Sequence, residues 1–226
     1  NTAFKGGWTT IKLYFIIGLP TETLDDVAGI AELGQKVVDA FYENPDKPKG
    51  KSVKVTVSAS SFVPKPFTPF QWEPQDTIET LHQKQRHLIS SVKTRKVEPS
   101  WHDADVSFLE AVFARGDRRL CDVLLEAHKA GCKMDGWQDC FSLAKWLEAF
   151  QKCGIDPAFY ANRRRSFDEV LPWDHIDCGV KKSFLIDECK RAYADQTTPN
   201  CREQCSSCGA ACFKGGICFE KRPNLV

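Results

Sequence analysis

The stretch IKLYFIIGLPTETLDD, residues 11–26, passes from strand chemistry to helix chemistry across one tight turn. Its first seven residues, Ile11 to Ile17, are mostly β-branched or aromatic and too few for a stable helix, which is the composition of a short buried strand. Gly18, Leu19 and Pro20 end the run. Thr23 then stands three residues before Asp26, as in a capping box, and Glu22, Asp25 and Asp26 put negative charge where a helix dipole favours it. Val27, Ile30, Ala31, Val37, Val38 and Phe41 follow at helical spacing, so the pattern predicts an amphipathic helix from Leu24 to Tyr42.

Working outward, NPDKPKGK at 44–51 is a solvated turn, and SVKVTVSASSF after it alternates strictly. Val53, Val55, Val57 and Ala59 point one way and suit packing under a helix. Lys54, Thr56, Ser58 and Ser60 point the other way and suit either a wet cavity or an exposed sheet face. A loop follows in which Pro64, Pro66, Pro69 and Pro74 alternate with Phe62, Phe67, Phe70 and Trp72, and then a helix from Thr77 to Val92. Strand, helix, strand, loop, helix implies parallel strands joined by right-handed crossovers, as in an α/β barrel or open sheet. Two strand-helix units cannot close a barrel that needs eight strands, so the remaining strands are expected upstream of Asn1.

From Trp101 onward helical patterns dominate: Val106 to Ala114, Arg118 to Ala130, Cys140 to Lys152 and Lys181 to Ala194, with turns at Gly131, Gly136 and Gly154. The predicted organisation is an α/β unit over 1–100, a mainly helical extension over 101–196 and a Cys-rich tail over 197–226. The chain starts at Asn1 and carries one methionine, Met134, which reads as the back part of a longer protein.

With 31 Lys+Arg against 30 Asp+Glu, bulk charge supplies no pull toward nucleic acid or an anionic membrane. The longest apolar run, LYFIIGLP, falls far short of the roughly 20 residues of a membrane span, and no signal-peptide pattern opens the chain. The expected setting is therefore cytoplasmic, where clustered thiols bind metal more often than they pair. The 11 cysteines are an odd number, which fits that reading better than a complete disulfide framework.

In parallel α/β architectures ligands sit at the carboxyl ends of the strands. Two loops fall there, GLPTET at 18–23 and FVPKPFTPFQWEP at 62–74. The first is either a helix start aimed at a polar ligand or an ordinary capped turn. The second is either a pocket wall for adenine or substrate, or a rigid loop packing its own rings. Cys201, Cys205, Cys208 and Cys212 lie close enough to hold one metal, with iron-sulfur and zinc both fitting the spacing and Cys218 a spare ligand or a bystander. The basic clusters at 114–119 and 162–165 either grip phosphates or are solvated turns. His102 beside Asp103 and His175 beside Asp174 are acid-base pairs or, more simply, partly buried hydrogen-bonding groups.

The segment YFIIGLPTETLDDV resembles the fifth strand of radical S-adenosylmethionine enzymes, especially the branch with the methylthiotransferases and coproporphyrinogen dehydrogenases. There the strand enters a G-L-P-G-E-T turn; here Thr21 replaces the second glycine. SSFVPKPFTPFQW, VSFLEAVFARGDRR, DGW, LPWDHIDCGVKKSFL and the terminal C-R-x-x-C-x-x-C-G resemble an uncharacterised family that joins a cobalamin-binding-like domain to such a barrel. The resemblance covers nearly the whole chain.

It implies that the chain is the carboxyl-terminal part of a (β/α) barrel whose parent carries a 4Fe-4S cluster that cleaves S-adenosylmethionine to a 5′-deoxyadenosyl radical. The family's catalytic three-cysteine motif follows the first barrel strand, so this chain alone is expected to be inactive and to need the upstream part of the protein as its partner. By the same resemblance Ile16, Gly18, Phe62 and Val63 border the adenine of S-adenosylmethionine, and Glu22 holds the turn's acidic position as a structural or capping group. Cys201, Cys205, Cys208 and Cys212 become an auxiliary iron-sulfur or zinc site, although Cys212 stands one residue later than the family's C-G-x-C ending. No catalytic residue is named by the resemblance. The substrate is open, with RNA suggested by the methylthiotransferases. The rival reading is a zinc-binding module without enzymatic activity that meets RNA through the Arg-rich turns at 115–119 and 163–165.

Overall fold

The computed structural model describes residues 1–210. Among these, three parallel strands run side by side in chain order: β1 (Thr10–Ile17), β2 (Lys54–Ser61) and β3 (Val97–Trp101). A short helix, α1 (Thr2–Lys5), precedes β1, while α2 (Leu24–Glu43) and α3 (Ile78–Ser91) make the crossovers. The mixed α/β class is as the sequence implies, with one strand more than expected. β3 is only five residues long and contains Glu98 and Pro99, which mask a strand pattern in sequence. Because β3 ends at Trp101, the sheet runs across the boundary drawn at residue 100.

The capping box forms. Thr23 accepts from the Asp26 N–H, and Asp26 Oδ2 accepts from the Thr23 N–H at 2.8 Å. The Thr23 N–H and the Thr23 hydroxyl, which also donates to Oδ2 at 2.7 Å, hold the Asp26 carboxyl below its usual range. The helix they start buries Val27, Ile30, Ala31, Val38 and Phe41 against the fully buried Val55, Val57 and Ala59 of β2. Gly34 permits the closest approach: a Cβ there would meet Val57 and Val97 methyls at 3.0 Å. Among the described residues the opposite sheet face has no such cover, leaving Tyr14 74% and Ile16 51% exposed.

The helices α4 (Ala104–Ala114), α5 (Leu120–Lys129), α6 (Leu143–Lys152), α7 (Pro157–Ala161) and α8 (Lys182–Tyr193) follow. A second core joins Phe108, Val112, Val123, Trp146, Phe150 and Tyr160, and Val63 and Ile78 of the first hundred residues pack against it. Trp72, Leu171, Trp173 and Leu185 make a third. The Pro-aromatic loop is thus the joint between the sheet unit and the helices. Gln75 Nε2 pins it by donating to the Phe62 and Ser107 carbonyls at 3.0 and 3.1 Å, and Gln71 Oε1 accepts from the Phe67 N–H and from Trp173 Nε1 at 2.7 Å. Among the described residues no helix is long and apolar enough to cross a membrane.

Candidate functional site

Where β1 and β2 end, a cavity of about 730 Å³ opens. Ile16 sits opposite Ser60 in the ladder, and the Phe62 N–H donates to the Ile17 carbonyl at 2.7 Å, so the exits of both strands stay side by side. Ile16, Phe62 and Val63 all line the cavity, joined by Leu19, Pro69 and Phe70. Phe62 and Phe70 meet edge to face at 6.0 Å. Such a wall suits a flat, weakly polar ring. The loop aromatics divide their work: Phe62 and Phe70 face the cavity, while Trp72 is buried against Phe167.

The other wall comes from far along the chain. Glu188 and Ala192 of α8 and the strap Gln196–Thr197–Thr198 close the cavity opposite the loop, and an ion pair between Lys65 and Glu110 lies at its rim. The strap is tied down by Arg191 Nη1, which donates to Thr198 Oγ1 at 2.8 Å and Glu188 Oε1 at 3.2 Å, while the Thr198 hydroxyl donates to Glu188. Nothing in the local pattern of 188–198 announces a wall; only the path of α8 brings it there.

Gly18 is not in the lining. Its φ of +86° turns the chain away, a Cβ would lie 3.2 Å from both Asp76 Oδ2 and Leu81 Cδ2, and its N–H donates to Glu22 Oε1 at 2.8 Å. Beneath it lies an ion cluster that sequence reading missed. Lys84 Nζ reaches Glu22 Oε1 and Asp76 Oδ2, each at 2.8 Å, with the lysine and glutamate side chains about nine-tenths buried. Burial alone would lower the ammonium's pKa, yet its bonds to Asp76 and Glu22 prevail and hold it above the ordinary lysine value. Glu22 therefore fastens the turn to α3 and leaves helix capping to Thr23. Its neighbour Thr21 has φ +69°, following Pro20 in a turn closed by the Glu22 N–H to the Leu19 carbonyl at 3.1 Å. That is the position of a Pro-initiated turn that prefers glycine.

A second buried carboxylate anchors the far wall. Glu73, 2% exposed, accepts from the Tyr193 hydroxyl at 2.7 Å, pairs with Arg164 at 2.9 Å and lies 3.8 Å from the Cys189 sulfur. Burial first, then this carboxylate, pushes the Cys189 thiol up to about 11 and the Tyr193 phenol up to about 12.

Arg115 and Arg165 of the Arg-rich turns are spent inside the molecule, while Arg118, Arg119 and Arg164 are exposed. Arg115 is fully buried and donates to the carbonyls of Tyr160, Ala161 and Arg163 at 2.6, 2.8 and 2.8 Å. Burial, with Arg165 and Arg163 nearby, pulls its pKa to about 9, so it stays charged at neutral pH. Arg165 Nη2 donates to the Arg115 carbonyl, Arg163 forks onto Glu169, and Arg119 onto Asp117. The reading of these turns as solvated is corrected for Arg115 and Arg165: the Arg115 guanidinium satisfies carbonyls at and just beyond the end of α7, and that of Arg165 the Arg115 carbonyl at the end of α4.

The histidine-aspartate pairs do not form. Asp103 caps α4 through the N–H groups of Asp105 and Val106, and Asp174 accepts from the Leu171 N–H and Lys182. His102 and His175 are exposed rather than partly buried, and His102 lines the strand-end cavity.

Cys201 and Cys205 are exposed and Cys208 is half-buried. Among the described residues no three His, Cys, Asp or Glu side chains converge on a metal-sized site. Cys212 and Cys218 lie outside the described residues. The described donors do not by themselves compose the auxiliary metal site.

Fold and cavity define an α/β protein with a parallel sheet and an apolar chamber at its carboxyl ends. No family model matches the chain, and no solved structure matches it. An uncharacterised protein of Methanocaldococcus jannaschii is 26% identical over 155 residues, which cover 69% of this chain and 32% of that protein. The matched region is thus about a third of the length of the relative.

Proposed function

We propose that the chain is the carboxyl-terminal part of a radical S-adenosylmethionine (β/α) barrel, continued by a helical extension and a Cys-rich tail, and that the strand-end cavity receives the adenine end of S-adenosylmethionine. The observation that carries the reading is the meeting of Ile16 with Phe62 and Val63, from two separate motifs, in one apolar wall at the ends of parallel strands. The exposed Tyr14 and Ile16 on the uncovered sheet face support further chain packing there.

When bound with its 4Fe-4S cluster, S-adenosylmethionine supplies a 5′-deoxyadenosyl radical that abstracts hydrogen from a substrate. This chain's own residues bind and orient. Ile16 and Phe62 offer apolar contact to the base, and the Pro-stiffened loop and α8 frame the chamber. The rival reading, an RNA-binding zinc module, is less well supported, because Arg115, Arg163 and Arg165 already serve carbonyls and Glu169.

The test is reductive cleavage. The longer parent polypeptide, purified without oxygen, loaded with iron and sulfide and reduced with dithionite, is expected to release 5′-deoxyadenosine from S-adenosylmethionine. The Ile16→Asp variant should release at least tenfold less. No product from a loaded, folded parent would end the assignment.

A further inference from the structure

The strap Gln196–Thr197–Thr198 has two wet sides. One side faces the strand-end cavity; the other lines a separate hollow of about 570 Å³ that runs to Gln204, Cys205, Ser206 and Ser207. The two spaces share the strap as a common wall.

Their chemistry differs. The cavity's loop wall is apolar, whereas the hollow is bordered by hydroxyls and amides and by one guanidinium, Arg191, with no carboxylate among its described lining residues. Glu188, the acid that pairs with Arg191, lies on the cavity side. Arg191 is held in place through Nη1 alone among the described residues, by Glu188 and Thr198, which leaves the rest of its planar donor fork available to the hollow. A positioned guanidinium flanked by neutral hydroxyl and amide donors is the arrangement that binds carboxylate and phosphate oxygens.

We propose that this hollow is an oxyanion subsite beside the strand-end chamber, taking the carboxylate or phosphate of a substrate whose apolar part lies on the Ala192 and strap side of the cavity rather than on the Ile16 and Phe62 wall that receives adenine. The proposal rests on reading the cavity as a ligand chamber, and it narrows the unknown substrate to an amphipathic acid.

The experiment is a titration of the 15N-labelled chain, at constant ionic strength, with acetate, octanoate, inorganic phosphate and octylammonium. Acetate and phosphate should give saturable amide shifts at Thr197, Thr198, Ser206 and Ser207, and the tighter of the two identifies the preferred oxyanion. Octanoate should bind at least tenfold more tightly than acetate and extend the shifts to Ala192, while octylammonium gives no shift at Ser206 or Ser207. Arg191→Gln should weaken the anions at least tenfold with the rest of the spectrum superimposable, and Arg118→Gln, exposed in the turn before α5 and outside the hollow's lining, should not. Shifts that are unsaturable, indifferent to Arg191→Gln, or equal for octanoate and octylammonium would overturn the subsite. The 5′-deoxyadenosine assay is independent of these shifts: saturable anion binding without cleavage in the parent would reject the cofactor assignment and leave the subsite standing.

Discussion

Ile16 of β1 stands level with Ser60 of β2, and two residues beyond Ser60 the Phe62 ring turns into the same cavity that Ile16 faces. In a parallel ladder side chains of like parity share a face, so this register converts two motifs 46 positions apart into one wall (62 − 16). Everything proposed about the chamber depends on that wall and on the turn that follows β1.

That turn contains a strained residue whose removal should help. Thr21 is β-branched at φ +69°, a conformation costing about 1–2 kcal/mol in a residue with a Cβ. Thr21→Gly is expected to raise stability by about 1 kcal/mol, less the entropy glycine loses on folding. Gly18→Ala, at φ +86° with Asp76 and Leu81 only 3.2 Å from the new methyl, should lower it. Paired thermal melts check both signs.

Lys84 neutralises two carboxylates in a site that is nearly closed to water. Lys84→Met would leave Glu22 facing Asp76 without a cation, at a cost of about 3 kcal/mol. Because the folded pKa of Lys84 is raised, its contribution is fully present below the unfolded lysine value and fades as pH climbs through the folded one. Denaturant midpoints from pH 8 to 12 should therefore fall more steeply in wild type than in the variant above pH about 10.

Asp117 gives the opposite sign. Hydrogen bonds from Arg119, outweighing a smaller desolvation effect, hold its carboxyl at about 2, and it also accepts from the Tyr160 hydroxyl at 3.3 Å. Its contribution is present above the unfolded aspartate value and disappears as pH falls from about 4 toward 2. Asp117→Asn should cost about 1–2 kcal/mol at pH 7 and much less at pH 2, read from unfolding curves at the two pH values.

Glu73 holds α8, and with it the far wall of the chamber. Glu73→Ala removes the acceptor of the Tyr193 hydroxyl and the partner of Arg164, with an expected loss of about 2–3 kcal/mol. Hydrogen exchange should rise selectively in Lys182–Tyr193 and the strap, while β1 and β2 keep their protection.

These cases show where sequence is informative. The β1 turn, the capping box at Thr23 and the alternation of Val53, Val55, Val57 and Ala59 are local signals, and local signals survive folding. Ile16, Phe62 and Val63, which the resemblance puts beside adenine, line the strand-end cavity. Gly18 belongs to the same motif but serves the packing of Asp76 and Leu81 behind the wall. β3 escaped notice because five residues containing Pro99 carry too little periodicity. Lys84 looks like one more solvent-facing lysine until Glu22 and Asp76 arrive from other segments, and the Glu73 anchor joins positions more than 100 residues apart.

The most direct test of the central claim is the affinity of S-adenosylmethionine for the cluster-loaded parent polypeptide, measured anaerobically by calorimetry for wild type, Ile16→Asp and Phe62→Asp. Both variants should bind at least tenfold more weakly, because each sets a carboxylate in the apolar wall, while Thr21→Gly binds as wild type does. Equal affinities across the set would contradict the assignment of this cavity to the cofactor.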